Sequence, residues 1–166
     1  MEQNQKKIRF WAIMIICNIL FIWGNSLLPG SVSGAISSFV KELVYMFFPG
    51  LSSAGEGGHG LLRKVAHFTE FACLGACFTR FLFLLKKPRL LALAGAFLVA
   101  CCDETIQRFV PDRGPSFKDV LIDTSGAVVG MTLLLVGYAY VKSGDHRIHQ
   151  AVRQQNTARH DGGEHQ

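Results

Sequence analysis

The sequence predicts an all-α, polytopic membrane protein with four transmembrane helices in one bundle, and three observations carry that prediction. Apolar residues make up 49% of the chain and charged residues 17%, below the roughly 25% charge of average soluble domains, and the mean hydropathy is +0.27. The apolar residues gather in four blocks, Phe10 to Leu28, Val65 to Leu85, Leu90 to Val110 and Val120 to Val141. Each is close to the roughly 20 residues a helix needs to cross about 30 Å of hydrocarbon. Basic residues collect at one set of block ends, as orientation in a membrane requires. A soluble four-helix bundle would need polar outward faces, which these blocks lack.

The first block follows Lys6, Lys7 and Arg9. It reads as a retained helix and not as a cleaved signal peptide, because its apolar run reaches Leu28 and carries Asn18 inside it, whereas a signal core is about 7 to 15 residues long. Trp11 and Trp23, near its two ends, read as interface anchors. Lys86, Lys87 and Arg89 separate the second block from the third, and Lys142, Arg147, Arg153 and Arg159 follow the fourth. Those segments, and with them both termini, are expected in the cytoplasm, with residues 29–64 and 111–119 outside. The net charge of +5 then belongs to membrane anchors, and no nucleic-acid partner is implied.

In the first outer loop, Phe39, Val40, Leu43, Val44, Phe47 and Phe48 follow helical spacing in a run too short to span. They predict a short amphipathic helix lying on the outer leaflet. Residues 1–142 form one domain, and residues 143–166 are polar and aperiodic, the composition of a disordered cytoplasmic tail. The five cysteines all fall inside apolar blocks and read as packing residues. Gly126 and Gly130 form a small-xxx-small pair suited to close helix packing.

Against this apolar background the acids stand out. Asp103 and Glu104 lie about 10 Å below the outer end of a helix that runs to Val110, at 1.5 Å per residue. With Gln107 they share one sector of that helix, which must face protein because charged groups in lipid are costly. His67 and Glu70 share a face near the outer start of the second helix, and Ser116, Asp119 and Asp123 do so at the start of the fourth. Asn25 and Ser26 close the first helix at the same level, with Asn18 two turns deeper. Four helices thus aim polar groups at one outward level.

These motifs resemble the VanZ-like membrane proteins. The likeness rests on "NSLLPGSVSG", on "HFTEFACLG" and on "DETIQRFVPDRGPSFKDVLIDTSGAVVG". The family pattern falls on His67, Glu70, Asp103, Glu104, Gln107, Arg113, Asp119 and Asp123. Phe71 stands where Tyr is usual, and Asp112 where Gly is common. The resemblance implies a multi-pass protein of the bacterial cytoplasmic membrane with an extracytoplasmic activity tied to the cell envelope and, in some members, to lowered teicoplanin susceptibility.

The residues leave several chemistries open. His67, Glu70, Asp103, Glu104, Gln107, Asp119 and Asp123 form the candidate catalytic set, and Arg113, Asn25 and Ser116 are candidate ligand-binding residues. His67, Glu70, Asp103, Glu104 and Asp123 suit a divalent cation as cofactor, since one imidazole among carboxylates is a set that Mg, Mn or Zn accepts. Such a site would act on, or bind, a lipid-linked envelope precursor or a glycopeptide. The alternative is a small transporter or proton-relay module without bond chemistry. The plainest reading is that the polar groups hold helices together. Asp119, three residues after Ser116, also fits a capping box at the fourth helix.

Overall fold

A computed structural model describes residues 2–47, 58–114 and 116–161, among which there is no strand. Among these residues five helices follow in order: α1 Glu2–Ser26, α2 Gly30–Phe47, α3 Gly58–Leu84, α4 Leu90–Gln107 and α5 Phe117–Asp161. The chain divides into two compact units, Met1–Met131 and the residues from Thr132 onward. In the first unit α3 is central, because α1, α2 and α4 all pack on it.

The distribution of polarity is that of a membrane protein. Phe10, Ile13, Ile16, Leu20, Phe21, Leu98, Phe109 and Leu121 are exposed, whereas Ser26, His67, Thr79, Asp103, Glu104, Gln107 and Asp123 are buried. Water would favour the reverse, since buried charge is costly and large exposed apolar faces mark contact with another apolar phase.

Among the described residues, three helical segments are long and apolar enough to cross a membrane: Glu2–Ser26, Leu90–Gln107 and Phe117–Gly144. The expectation of four such helices is therefore corrected to three, and α3, which carries the expected span 65–85, is the one that drops out. His67, Glu70 and Arg80 dilute its apolar run. A helix enclosed by α1, α2 and α4 meets protein on much of its surface, so it tolerates polar groups that a lipid-facing helix does not.

Each helix turns one face inward. On α1 this face is Ile15, Ile22 and Ser26. On α4 it begins with the small residues Ala92 and Ala96, continues through Val99 and Ala100, and ends in Asp103, Glu104 and Gln107, so an apolar seam becomes polar within one stripe. Ile15, Ile22, Phe71, Leu74, Cys77, Val99, Ala100 and Val120 form the core. Phe71 is wholly buried there, where a tyrosine hydroxyl would need a partner of its own. Trp11 and Trp23 pack against this core, so they serve the bundle interior in addition to any interface.

Gly75, Gly126 and Gly130 bring α3 and α5 together. A Cβ on Gly126 would strike the Phe68 carbonyl, one on Gly130 the Ala72 carbonyl, and one on Gly75 the Ala127 carbonyl. The two backbones touch without side chains between them.

Several boundaries differ from expectation. α4 stops at Gln107, placing Asp103 about 6 Å from the helix end, nearer than a helix to Val110 would. α2 is longer than the apolar run that predicted it, while Phe48 lies outside the described residues. α5 continues past Val141 to Asp161. Between α4 and α5, Asp112 takes a left-handed conformation at φ 59°, which glycine adopts freely and Asp tolerates at some cost.

Gly130→Ala is expected to destabilise the protein by about 1–3 kcal/mol through overpacking. Gly24→Ala, where a Cβ meets open space, should be neutral. Thermal melting in detergent distinguishes them, and equal melting would show that the α3–α5 contact has slack. Asp112→Gly should raise the melting temperature, gaining up to about 1 kcal/mol by removing the left-handed strain.

Candidate functional site

The polar ends of the inward faces meet at one junction. Asp103 has no solvent exposure. Gln107, one turn later on α4, donates from Nε2 to Asp103 Oδ2 at 2.8 Å and to Ser26 Oγ of α1 at 3.2 Å. From α3, His67 Nδ1 lies 4.0 Å from Asp103 Oδ2 and 3.7 Å from Glu70 Oε2, near enough for electrostatic interaction and too far for hydrogen bonds. Glu70 is held through its other oxygen, Oε1, by Asn25 Nδ2 at 2.8 Å.

The segment between α4 and α5 closes over this junction. Arg113 Nη2 donates to the Asn25 backbone carbonyl at 3.0 Å, which also accepts from the Leu28 amide at 3.3 Å just past the end of α1. The Gly30 amide donates to the Pro111 carbonyl at 3.2 Å. The Ser116 amide donates to Glu104 Oε2 at 2.8 Å, so the amide hydrogen that a capping box would direct to Asp119 goes to α4 instead. Asp119 pairs with Lys64 at 3.4 Å on the rim.

The candidate catalytic and ligand-binding residues thus lie in or beside this region. His67, Asp103 and Asp123 each offer a ligand atom within 4.8 Å of the others. Glu70 and Glu104, also candidate metal ligands, are each held by a different neighbour, Asn25 and the Ser116 amide. Asn18 lies deeper, its Oδ1 buried without a hydrogen-bond partner. Sequence reasoning missed Arg63, Lys64 and the central position of Ser26. Arg63 was findable, because it precedes His67 by one helical turn on the same face.

Two clefts reach the junction. A small one, with room for about one water-sized body, is lined by Lys64, His67, Glu104, Asp119 and Asp123 among others. A larger, open one has a volume of about 260 Å³ and is lined by Asn25, Ser33, Arg63, His67, Glu70 and Arg113. Arg63 and His67 border both. Burial, then the charge of Arg63, lowers the Arg113 pKa against the attraction of Asp103 and Glu104. A guanidinium starts so far above neutrality that it stays charged.

Much of the hydrogen-bonding capacity at the junction is unspent. His67 Nδ1, Glu70 Oε2, Asp103 Oδ1, Glu104 Oε1, and Arg113 Nε and Nη1 are buried without a hydrogen-bond partner. Buried polar groups normally have one, so this density of open valences suits protons, an ion or a ligand's polar groups.

Gln107→Leu should remove the 2.8 Å hydrogen bond to Asp103 Oδ2 and cost about 1–3 kcal/mol, measured as a lower melting temperature in detergent. An unchanged melting temperature would show that Asp103 draws its support from elsewhere.

A family model described as VanZ/LLP1 matches residues 8–138, a stretch containing every residue of the junction. Neither the curated proteins nor the solved structures provide a match.

Proposed function

The chain belongs to the VanZ/LLP1 family, and on that premise we propose that it binds the anionic headgroup of a lipid-linked envelope precursor. The binding site is the larger cleft, at the outer end of the bundle in a bacterial cytoplasmic membrane. Both termini lie in the cytoplasm in this reading, as the placement of lysines and arginines favours. α2 lies along the outer leaflet, a placement supported by the exposure of Phe39 and Met46. Lowered teicoplanin susceptibility is the proposed cellular consequence of this binding.

The observation that carries the reading is the state of Arg113. One of its nitrogens is committed to Asn25, while Nε and Nη1 have no partner and the residue lines the larger cleft beside Arg63. Two guanidinium groups at one cleft suit a phosphate, which accepts paired N–H bonds in the planar geometry a guanidinium offers. Glu70 and His67, lining the same cleft, would orient the neutral part of the headgroup through hydrogen bonds.

The test is retention of a polyprenyl diphosphate lipid by the detergent-purified protein, against a neutral lipid of equal chain length. Arg113→Ala should weaken retention of the diphosphate about tenfold or more, since a hydrogen bond to a charged group is worth about 1.5–3 kcal/mol. Retention of the neutral lipid should not change. Equal retention of the diphosphate by wild type and variant would overturn the reading.

A further inference from the structure

We propose that His67, Asp103 and Asp123 bind one divalent transition-metal ion of the zinc or manganese class. The three residues come from three helices, α3, α4 and α5, all are buried, and their ligand atoms lie within 4.8 Å of one another. Around a tetrahedral ion with bonds of about 2.1 Å, ligand atoms sit roughly 3.4 Å apart. A contraction of about an ångström, within side-chain torsional reach, therefore closes the shell.

Two independent features point to an ion at this spot. Asp103 is wholly buried with Oδ1 unpartnered, and His67, 9% exposed, has Nδ1 unpartnered. Protein groups thus leave a carboxylate oxygen and an imidazole nitrogen unused on two residues that adjoin one another. The second feature is charge. Glu70, Asp103, Glu104, Asp119 and Asp123 face Arg63, Lys64 and Arg113 around the junction. Fully ionised, they leave an excess of two negative charges, which one divalent cation cancels without protonating a carboxylate.

The surroundings fit a metal shell. Gln107 fixes Asp103 through Oδ2, the kind of outer contact that orients metal ligands. An imidazole in the set favours zinc or manganese over magnesium, which keeps to oxygen and water. His67 and Asp123 line the small cleft, so a fourth position opens onto space that accommodates one water. This inference goes beyond the headgroup reading and does not rest on it.

The experiment uses the full chain in detergent, stripped with chelator, re-equilibrated with zinc or manganese and desalted. Metal content is read by elemental mass spectrometry and stability by melting temperature. The expected result is about one ion per chain, with melting raised by the metal and lowered again by chelator. Asp123→Asn should lose most of the ion and the rise in melting temperature. His67→Gln is the second variant should Asp123→Asn fail to accumulate. Replacing His146, His149, His160 and His165 together by alanine should change neither readout.

Three results would overturn the proposal: no ion retained and no shift in the wild type, an ion retained equally by the site variants, or an ion lost with the tail histidines. Lipid retention is a separate readout. Failure of metal binding with Arg113-dependent retention intact would remove this inference and leave the headgroup reading standing.

Discussion

A carboxyl group sealed from solvent inside an apolar bundle is the constraint on which the rest of this structure depends. Asp103 sits on α4, a helix apolar enough to cross a membrane, at a position with no exposure. Leaving an ionised carboxylate there without partners costs several kcal/mol. The compensation is drawn from several helices: Gln107 from its own, Ser26 beyond it on α1, and the imidazole of His67 beside it on α3. These partners fix where the helices meet. The small residues Ala92 and Ala96 on the inward face of α4 are buried with it.

The connection between α4 and α5 performs a second task with few residues. Arg113 reaches the end of α1, Pro111 receives the amide of Gly30 at the start of α2, and the Ser116 amide holds Glu104. One loop thereby ties the end of α1 and the start of α2, both distant from it in sequence, to the end of α4. The left-handed Asp112 reverses the chain between these contacts, and its carbonyl presses so close to Gly30 that no side chain fits there. The glycine at position 30 and the turn at position 112 are therefore one feature.

Much of this was legible in the sequence. Helical arithmetic placed Asp103, Glu104 and Gln107 on one face and His67 with Glu70 on another, and these faces are found at one junction. The arithmetic succeeds because α-helical geometry is nearly invariant, whatever surrounds the helix. The status of α3 was not legible in this way. Hydropathy counts polar residues without knowing whether they meet lipid or protein, and the inward face of α3 is set by neighbours distant in the chain. Arg63 and Lys64 were passed over as loop charges because α3 begins earlier than its apolar run. The Ser116 amide offered a local acceptor in Asp119 and took a distant one in Glu104, a choice set by tertiary contact.

The glycine seam between α3 and α5 has a kinetic meaning. Where two backbones touch with no side chains between them, there are no rotamers to adjust, and sliding requires the whole interface to part and re-form. Along Gly126 and Gly130 the pair therefore behaves as a fixed wall carrying His67 and Asp123. The opposite side of the junction is joined by side-chain hydrogen bonds from Asn25, Gln107 and Arg113, which can break and re-form one at a time. Breathing of the junction is therefore expected first where these single bonds part, on the α1 side, and not along the glycine seam.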